Sequence, residues 1–284
     1  MCRWLAYTGS PILLEKALYS PVHSLIDQSL HSELGAETTN GDGFGVGWYD
    51  DQPAPGVFRS IEPAWNDQNL HELAQHVTSG HFFAHIRAAI GSPVQQTNCH
   101  PFRHANWLFM HNGYVAELAR VRRDLMMAVD ESLFPEITGT ADTEILFYIA
   151  LSYGLEDDPA EAVARTIGLV EDVGRRKGVE HPFQGTIATT DGERMWAFRY
   201  SSEGKSRTLF YSRDITAVRK LAPDREVLFE VSDDSRLIVS EPIGDLPGAW
   251  NEVPDGSYGV VGGGDEQLRP FKPKPPATAV AVPA

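Results

Sequence analysis

Apolar and aromatic residues open the chain. The run Met1-Cys2-Arg3-Trp4-Leu5-Ala6-Tyr7, closed by Gly9, predicts a strand that starts with the first residues. After short mixed segments comes Asn40-Gly41-Asp42-Gly43-Phe44-Gly45-Val46-Gly47-Trp48-Tyr49. Its Asn-Gly and Asp-Gly pairs mark a turn, and the alternation of glycine with large apolar residues predicts a strand closely approached by other backbone. Leu70, Leu73, Ala74 and Val77 recur at helical spacing over 67–77, as do Leu118, Val121, Leu125, Met126 and Val129 over 117–129. Phe82–Ile90 and Trp107–Met110 read as buried strands, each ending in a polar cluster, and Asp142–Leu151 as a largely buried helix.

The best-marked helix is 159–177. Asp158 is its cap, Pro159 suits its first position, Glu161 completes a capping-box pattern, and Arg175-Arg176-Lys177 precede Gly178. From 183 onward the texture becomes β-like. Gly185–Thr190, Arg194–Tyr200, Thr208–Ser212, Arg236–Ser240 and Tyr258–Val261 are separated by turn pairs such as Asp191-Gly192 and Asp255-Gly256. Helices cluster in the middle with strands on both sides, which predicts an α+β arrangement of antiparallel sheets and helices, not alternating βαβ units. The expected organisation is one domain over residues 2–268 and a Pro/Ala-rich disordered tail over 269–284.

Composition narrows the function. With 284 residues, 42% hydrophobic, the chain can bury a sizeable core. Its formal charge of −15 argues against nucleic acid and against an anionic membrane surface, since both draw on basic patches. No apolar run approaches membrane-spanning length, and Cys2 leaves no room for a signal peptide before it. A reducing cytoplasm is therefore expected, with Cys2 and Cys99 as free thiols.

Four clusters carry candidate chemistry. Cys2 has a side chain small enough for the initiator methionine to be removed, which would make it the N-terminal residue. Its α-amine, with a pKa of about 7.7–8, could then act as base for its own thiol. Arg87 lies within an apolar run, where a guanidinium needs an anion, and its fork fits a carboxylate. In His111-Asn112-Gly113 a hydrophobic strand breaks off into Asn-Gly. The side-chain amide and the Gly113 N–H could stabilise an oxyanion, although Asn-Gly is also a common hairpin turn. Asp142, in Thr140-Ala141-Asp142-Thr143-Glu144, could receive an ammonium group or simply cap a helix.

Read in order, these clusters resemble the glutaminase domain of the class II glutamine amidotransferases, members of the N-terminal-nucleophile hydrolases. The matching segments are Met1-Cys2-Arg3, Asn40–Gly45, His85-Ile86-Arg87, Asn98-Cys99-His100-Pro101-Phe102, His111-Asn112-Gly113 and Ala141-Asp142-Thr143-Glu144. The resemblance implies a four-layer αββα sandwich of two antiparallel sheets. It also implies that Cys2 is the nucleophile, Asn112 and Gly113 the oxyanion hole, and Arg87 and Asp142 the grips on the glutamyl carboxylate and ammonium. His100 would line the site as a substrate-binding residue without transferring protons.

The stretch Met1–Tyr49, including Pro21–Ile26, resembles stand-alone members that remove the γ-glutamyl group of glutathione and, less closely, the γ-glutamyl hydrolases of ergothioneine synthesis. Fused relatives carry Trp after the arginine and polar Thr and His soon after it; here Ala88, Ala89 and Ile90 stand there. That leaves room for a γ-glutamyl conjugate bulkier than glutamine. No cofactor is expected. The histidines His81, His85, His100, His104 and His111 lack the partners of a zinc site, and the glycine run at 41–47 fails the dinucleotide fingerprint. The rival from another class is a catalytically idle binding or regulatory subunit of a larger complex. Partner subunit, homo-oligomer and leaving amine stay open at this level.

Overall fold

The computed structural model describes residues 2–34, 39–89, 91–222, 231–246, 248–262 and 265–275. Its strands form two antiparallel sheets. One runs β11(Trp250–Glu252), β9(Phe210–Ser212), β10(Arg236–Val239), β1(Arg3–Leu13), β4(Thr78–Ile86), β2(Phe44–Trp48) and β3(Gly56–Ser60). The other runs β13(Asp265–Pro270), β12(Ser257–Gly262), β8(Arg194–Ser201), β7(Phe183–Thr190), β6(Trp107–Val115) and β5(Phe102–His104).

The period-two alternation of β1 explains the layers. Trp4 and Ala6 join Phe83, Leu108, Met110 and Ala188 between the sheets, while Leu5 and Tyr7 face the opposite way. Those outward residues pack on α1(Leu14–Leu18), α2(Leu25–Leu30) and α3(Gln68–His76). Beyond the second sheet lie α4(Leu118–Met126), α5(Asp142–Ser152) and α6(Pro159–Arg176), whose apolar residues cover Phe109, Phe183 and Ile187. The result is the αββα sandwich, with α7(Ile215–Leu221) beside the edge strands. Among the described residues no helix is long and apolar enough to cross a membrane.

Several elements differ from the sequence reading. The first strand passes Gly9 and continues to Leu13, with a register shift between Thr8 and Ile12. The strand expected over 82–90 ends at Ile86, because Arg87 turns to exchange backbone hydrogen bonds with Gly43 and Asp42. Ile90 lies outside the described residues. The Trp107 strand does not stop at Met110 but runs through Asn112 and Gly113 to Val115. At α6, Asp158 caps the Glu161 N–H at 3.1 Å as expected, but Glu161 turns to Arg165 and Lys274, so the capping box is half-formed.

The glycines of β2 act as the alternation predicts. A Cβ on Gly45 would lie 2.2 Å from the His100 carbonyl oxygen, so only glycine lets the 99–101 segment press onto this strand.

The expected tail is corrected for residues 269–275. β13 reaches Pro270, and Phe271 is buried against Phe198, Tyr200 and Tyr258. The Lys274 N–H then bonds the Ala164 carbonyl at 2.9 Å, strapping the segment across α6. One aromatic anchor, not average composition, decides this; residues 276–284 lie outside the described part. The strap crosses at Gly168, where a Cβ would meet the Lys274 carbonyl oxygen at 1.7 Å. Gly168→Ala should therefore lower the melting temperature, although alanine gains about 1 kcal/mol of helix propensity over glycine. A variant that melts higher than the parent would show that the strap contributes nothing.

Candidate active site

Position 2 is set by strand pairing. β1 and β4 run antiparallel with Arg3 opposite Ile86 and Trp4 opposite His85, so the next step brings Cys2 to the 87–88 segment. The alternation that turns Trp4 inward also turns Cys2 toward the space between the sheets. Its sulfur lies within the reach of one peptide: the Ala88 N–H donates to Sγ at 3.4 Å, and Sγ is 3.5 Å from the Ala88 carbonyl oxygen. Burial pushes the thiol above its ordinary pKa. The Ala88 N–H and the Arg87 guanidinium pull it down without prevailing, and the Asp142 carboxylate pushes it further up. A thiol in this state is neutral and needs a base before it can attack.

Cys2 shares one cleft with Arg87, Ser92, His100, Asn112, Gly113 and Asp142. Every residue singled out from the sequence as a site candidate therefore lines the same space. Arg87 is 3% exposed, and its guanidinium meets only neutral acceptors: Ser92 Oγ at 2.6 Å, the Pro93 carbonyl at 3.2 Å, and the Ser92 and Asp42 carbonyls at 3.4 Å. Among the described residues no carboxylate forms an ion pair with it. Neutral oxygens alone leave the charge of such a buried cation uncompensated.

Asn112 is buried, and among the described residues its side-chain amide makes no hydrogen bond, so its donors are available to the cleft. The Asn-Gly pair is not a turn. Gly113 pairs with Gly185 of β7, and a Cβ there would fall 2.0 Å from the Gln184 carbonyl oxygen and 2.7 Å from His111 Nε2. Glycine is required because strand and imidazole close on it. Asp142 stands at the first position of α5 and bridges two elements. It accepts the Val115 N–H at 2.9 Å and the Thr143 N–H at 2.8 Å, so both the strand and the helix N-terminus hold it as an acceptor toward the cleft.

Asn98, Asp42 and Arg3 lie in segments already singled out, but their supporting contacts escaped the sequence reading because their partners are distant. Asn98 Oδ1 accepts the Thr140 and Ala141 N–H groups at 2.7 and 3.0 Å, while its amide donates to Pro93 and Thr140. One side chain thus ties the Arg87 loop to the start of α5. Asp42 holds the Ala89 N–H at 2.8 Å, steadying the peptide that contacts Cys2. Arg3 is buried and paired with Glu241 at 2.7 Å; Glu241 also accepts from His23 at 2.6 Å and from the Glu33 and Leu34 N–H groups. Burial raises the Glu241 carboxyl, but these donors outweigh it and keep the pKa below the carboxylate norm. Arg207, on the turn after β8, also enters the cleft and lies 6.0 Å from the Tyr114 ring. No sequence signal marks it.

His100 and His111 line the floor of the cleft, with His85 buried behind them. His85 and His100 have ring centroids 4.0 Å apart, His85 Nε2 meets the His111 carbonyl at 3.2 Å, and His111 Nδ1 meets Thr143 Oγ1 at 3.2 Å. His85 Nδ1, His100 Nδ1 and His111 Nε2 have no hydrogen-bond partner among the described residues. Desolvation keeps all three neutral, with His85 lowered to about 3 and His100 well below its usual range. Bases that weak, none hydrogen-bonded to Sγ, cannot take the Cys2 proton near neutrality.

Comparison with known proteins agrees with this geometry. The family model for class-II glutamine amidotransferases matches residues 19–275. A Saccharomyces cerevisiae protein described as a probable glutamine amidotransferase is 32% identical, over 90% of this chain and 80% of that protein. The γ-glutamyl-hercynylcysteine sulfoxide hydrolase of Mycolicibacterium smegmatis is 27% identical, over 90% of this chain and 93% of its own. Among solved structures, a glutamine aminotransferase class-II domain protein from Silicibacter pomeroyi superposes with a TM-score of 0.74 at 32% identity, over 96% of this chain and all of that one. The glutamine phosphoribosylpyrophosphate amidotransferase of Bacillus subtilis shares the fold, with a TM-score of 0.63 at 14% identity, over 95% of this chain and 49% of its own.

The buried imidazoles have a consequence for stability. His81, bonded to Thr190 Oγ1, is lowered to about 4 and His85 to about 3, both by desolvation. The unfolded chain then binds protons that the native one refuses, so stability falls as pH drops below about 6.5 and continues to fall toward the native values. Between pH 7 and pH 5 the expected loss is about 2 kcal/mol for each of these two residues. Denaturant midpoints that coincide at pH 7 and pH 5 would contradict this.

Proposed function

Because the chain belongs to the class-II glutamine amidotransferases, we propose that it hydrolyses a γ-glutamyl amide through a thioester on Cys2. The observation that carries this reading is the buried Arg87 guanidinium, without a carboxylate partner among the described residues, in one cleft with the Cys2 thiol, the unengaged Asn112 amide and Asp142. The cation suits the α-carboxylate of a glutamyl group. Asp142 keeps lone pairs beyond those its two N–H donors use, and these suit the α-ammonium. Held at both ends, the glutamyl group presents its γ-carbonyl to Sγ.

In the proposed reaction the α-amine of Cys2, freed by loss of Met1, takes the thiol proton as sulfur bonds to the γ-carbon. The carbonyl oxygen becomes an oxyanion facing the Asn112 amide and the Gly113 N–H, each donor worth about 2.7–4 kcal/mol in such sites. Collapse breaks the C–N bond, and the departing amine takes the proton from the ammonium. Water then attacks the thioester, the same amine accepts its proton, and glutamate leaves with the thiol restored. The names of the yeast and mycobacterial relatives support a γ-glutamyl substrate. Ala88 beside the sulfur, and Ala89 after it, small residues where fused relatives carry Trp, Thr and His, favour a conjugate larger than glutamine.

The test is glutamate release from glutamine, glutathione and other γ-glutamyl amides. Cys2→Ala should abolish release and keep the parental melting curve. Arg87→Lys, which loses the bidentate fork, should raise KM by on the order of tenfold or more. An N-terminal extension that blocks removal of Met1 should silence the protein; full activity with the extension in place would eliminate the amine as base.

A further inference from the structure

We propose that Asn98 is the positioning residue that makes the site selective for the handedness of the glutamyl α-carbon. This assignment rests on the hydrolase reading above and deepens it at the glutamyl end. In that reading the substrate is held at three points: the γ-carbonyl at Cys2, the α-carboxylate at Arg87 and the α-ammonium at Asp142. Inverting the α-carbon while two of these points are kept moves the third group off its partner. Selection by hand therefore needs a fixed gap between the Arg87 guanidinium and the Asp142 carboxylate. Arg87 follows a strand of the first sheet and Asp142 begins a helix beyond the second, so that gap spans layers. One buried side chain bridges it.

Asn98 closes a single turn of 3-10 helix, Gln96–Asn98, and is fully buried. Its Nδ2 donates to the Pro93 carbonyl at 3.0 Å, and Arg87 Nη2 donates to that same oxygen at 3.2 Å. Its Oδ1 accepts the Thr140 and Ala141 N–H groups at 2.7 and 3.0 Å, immediately before Asp142. Guanidinium and carboxylate are thus joined through one carbonyl and one carboxamide. The α5 end of this bridge is firmly held. Buried Glu144 accepts the Thr138 and Gly139 N–H groups at 2.9 and 2.7 Å, so two buried side chains take four consecutive N–H groups leading into the helix. A Cβ on Gly139 would lie 2.7 Å from Asn98 Oδ1 and 2.6 Å from the Thr97 carbonyl oxygen, so loop and turn are in close contact. The surroundings also choose the residue type. Two backbone donors on one side need an oxygen, and the Pro93 carbonyl on the other needs an N–H, a pair that asparagine supplies and an aspartate carboxylate does not.

The experiment takes whichever of glutamine, glutathione and the other γ-glutamyl amides tested above is cleaved fastest, and compares its L-glutamyl and D-glutamyl forms on the full chain. The parental protein should favour the L form in kcat/KM by on the order of 10–100-fold, the value of one charge-assisted pair. Asn98→Ala should lower that ratio by on the order of tenfold, mainly by raising KM for the L form. Asn98→Asp keeps the acceptor for Thr140 and Ala141 and loses the donor to Pro93, so it frees the Arg87 loop without releasing α5. It should also lower the ratio while melting close to the parental protein, which keeps the test open where Asn98→Ala does not fold. Equal handling of the two forms by the parental protein overturns the assignment without any variant. A variant that loses kcat/KM equally for both forms overturns it too, because Asn98 would then be a structural support alone. An unchanged ratio in Asn98→Asp has the same force. If no γ-glutamyl compound releases glutamate, the hydrolase reading itself fails and takes this assignment with it.

Discussion

A charge that cannot reach water anchors the start of this chain. Arg3 is buried with its guanidinium against Glu241, and breaking such a pair by removing one partner costs about 3–5 kcal/mol. Arg3 also donates to the Cys2 carbonyl at 3.0 Å and to Ser32 and Leu34, so the residue after the nucleophile is bonded in several directions. A chain terminus is ordinarily among the most mobile parts of a domain. Here the ion pair and the centre of a seven-stranded sheet hold the residues beside Cys2.

From this anchor the site divides its tasks among the layers. The first sheet supplies the sulfur and the Arg87 cation, the second supplies the Asn112 amide, and the helix layer beyond it supplies the Asp142 carboxylate. Asn98 links the Arg87 loop to the start of α5, so the two charges that would grip a substrate are positioned by one side chain. The thiol is kept neutral by burial. The internal base of the proposed reaction answers the same desolvation.

The same environment keeps the buried histidines neutral. His85, His100 and His111 sit where polar groups usually imply catalysis, but their pKa values are driven down by burial. His100 and His111 line the floor with His85 packed behind them, and a side chain on Gly113 would strike the Gln184 carbonyl of the next strand while one on Gly185 would strike His111. The preference for glycine in this motif is steric, imposed by neighbours on another strand.

Much was legible in the chain. The apolar and aromatic run at Trp4–Tyr7, the helical spacing over 67–77 and the cap at Asp158 are local signals, and the helices and strands they announce are present. Cys2, Arg87, Asn112, Gly113 and Asp142 could be chosen because their segments, read in order, resemble one family, although each taken alone also has an ordinary structural reading. What no local reading could supply was closure. That Asn-Gly is extended strand, that Phe271 pulls a proline-rich end into the core, and that Arg3 meets Glu241 are outcomes of partners between about 70 and 240 residues away. Sequence periodicity reports which face of an element is apolar. Which distant group will satisfy a buried charge or crowd a backbone is decided only when the layers stack.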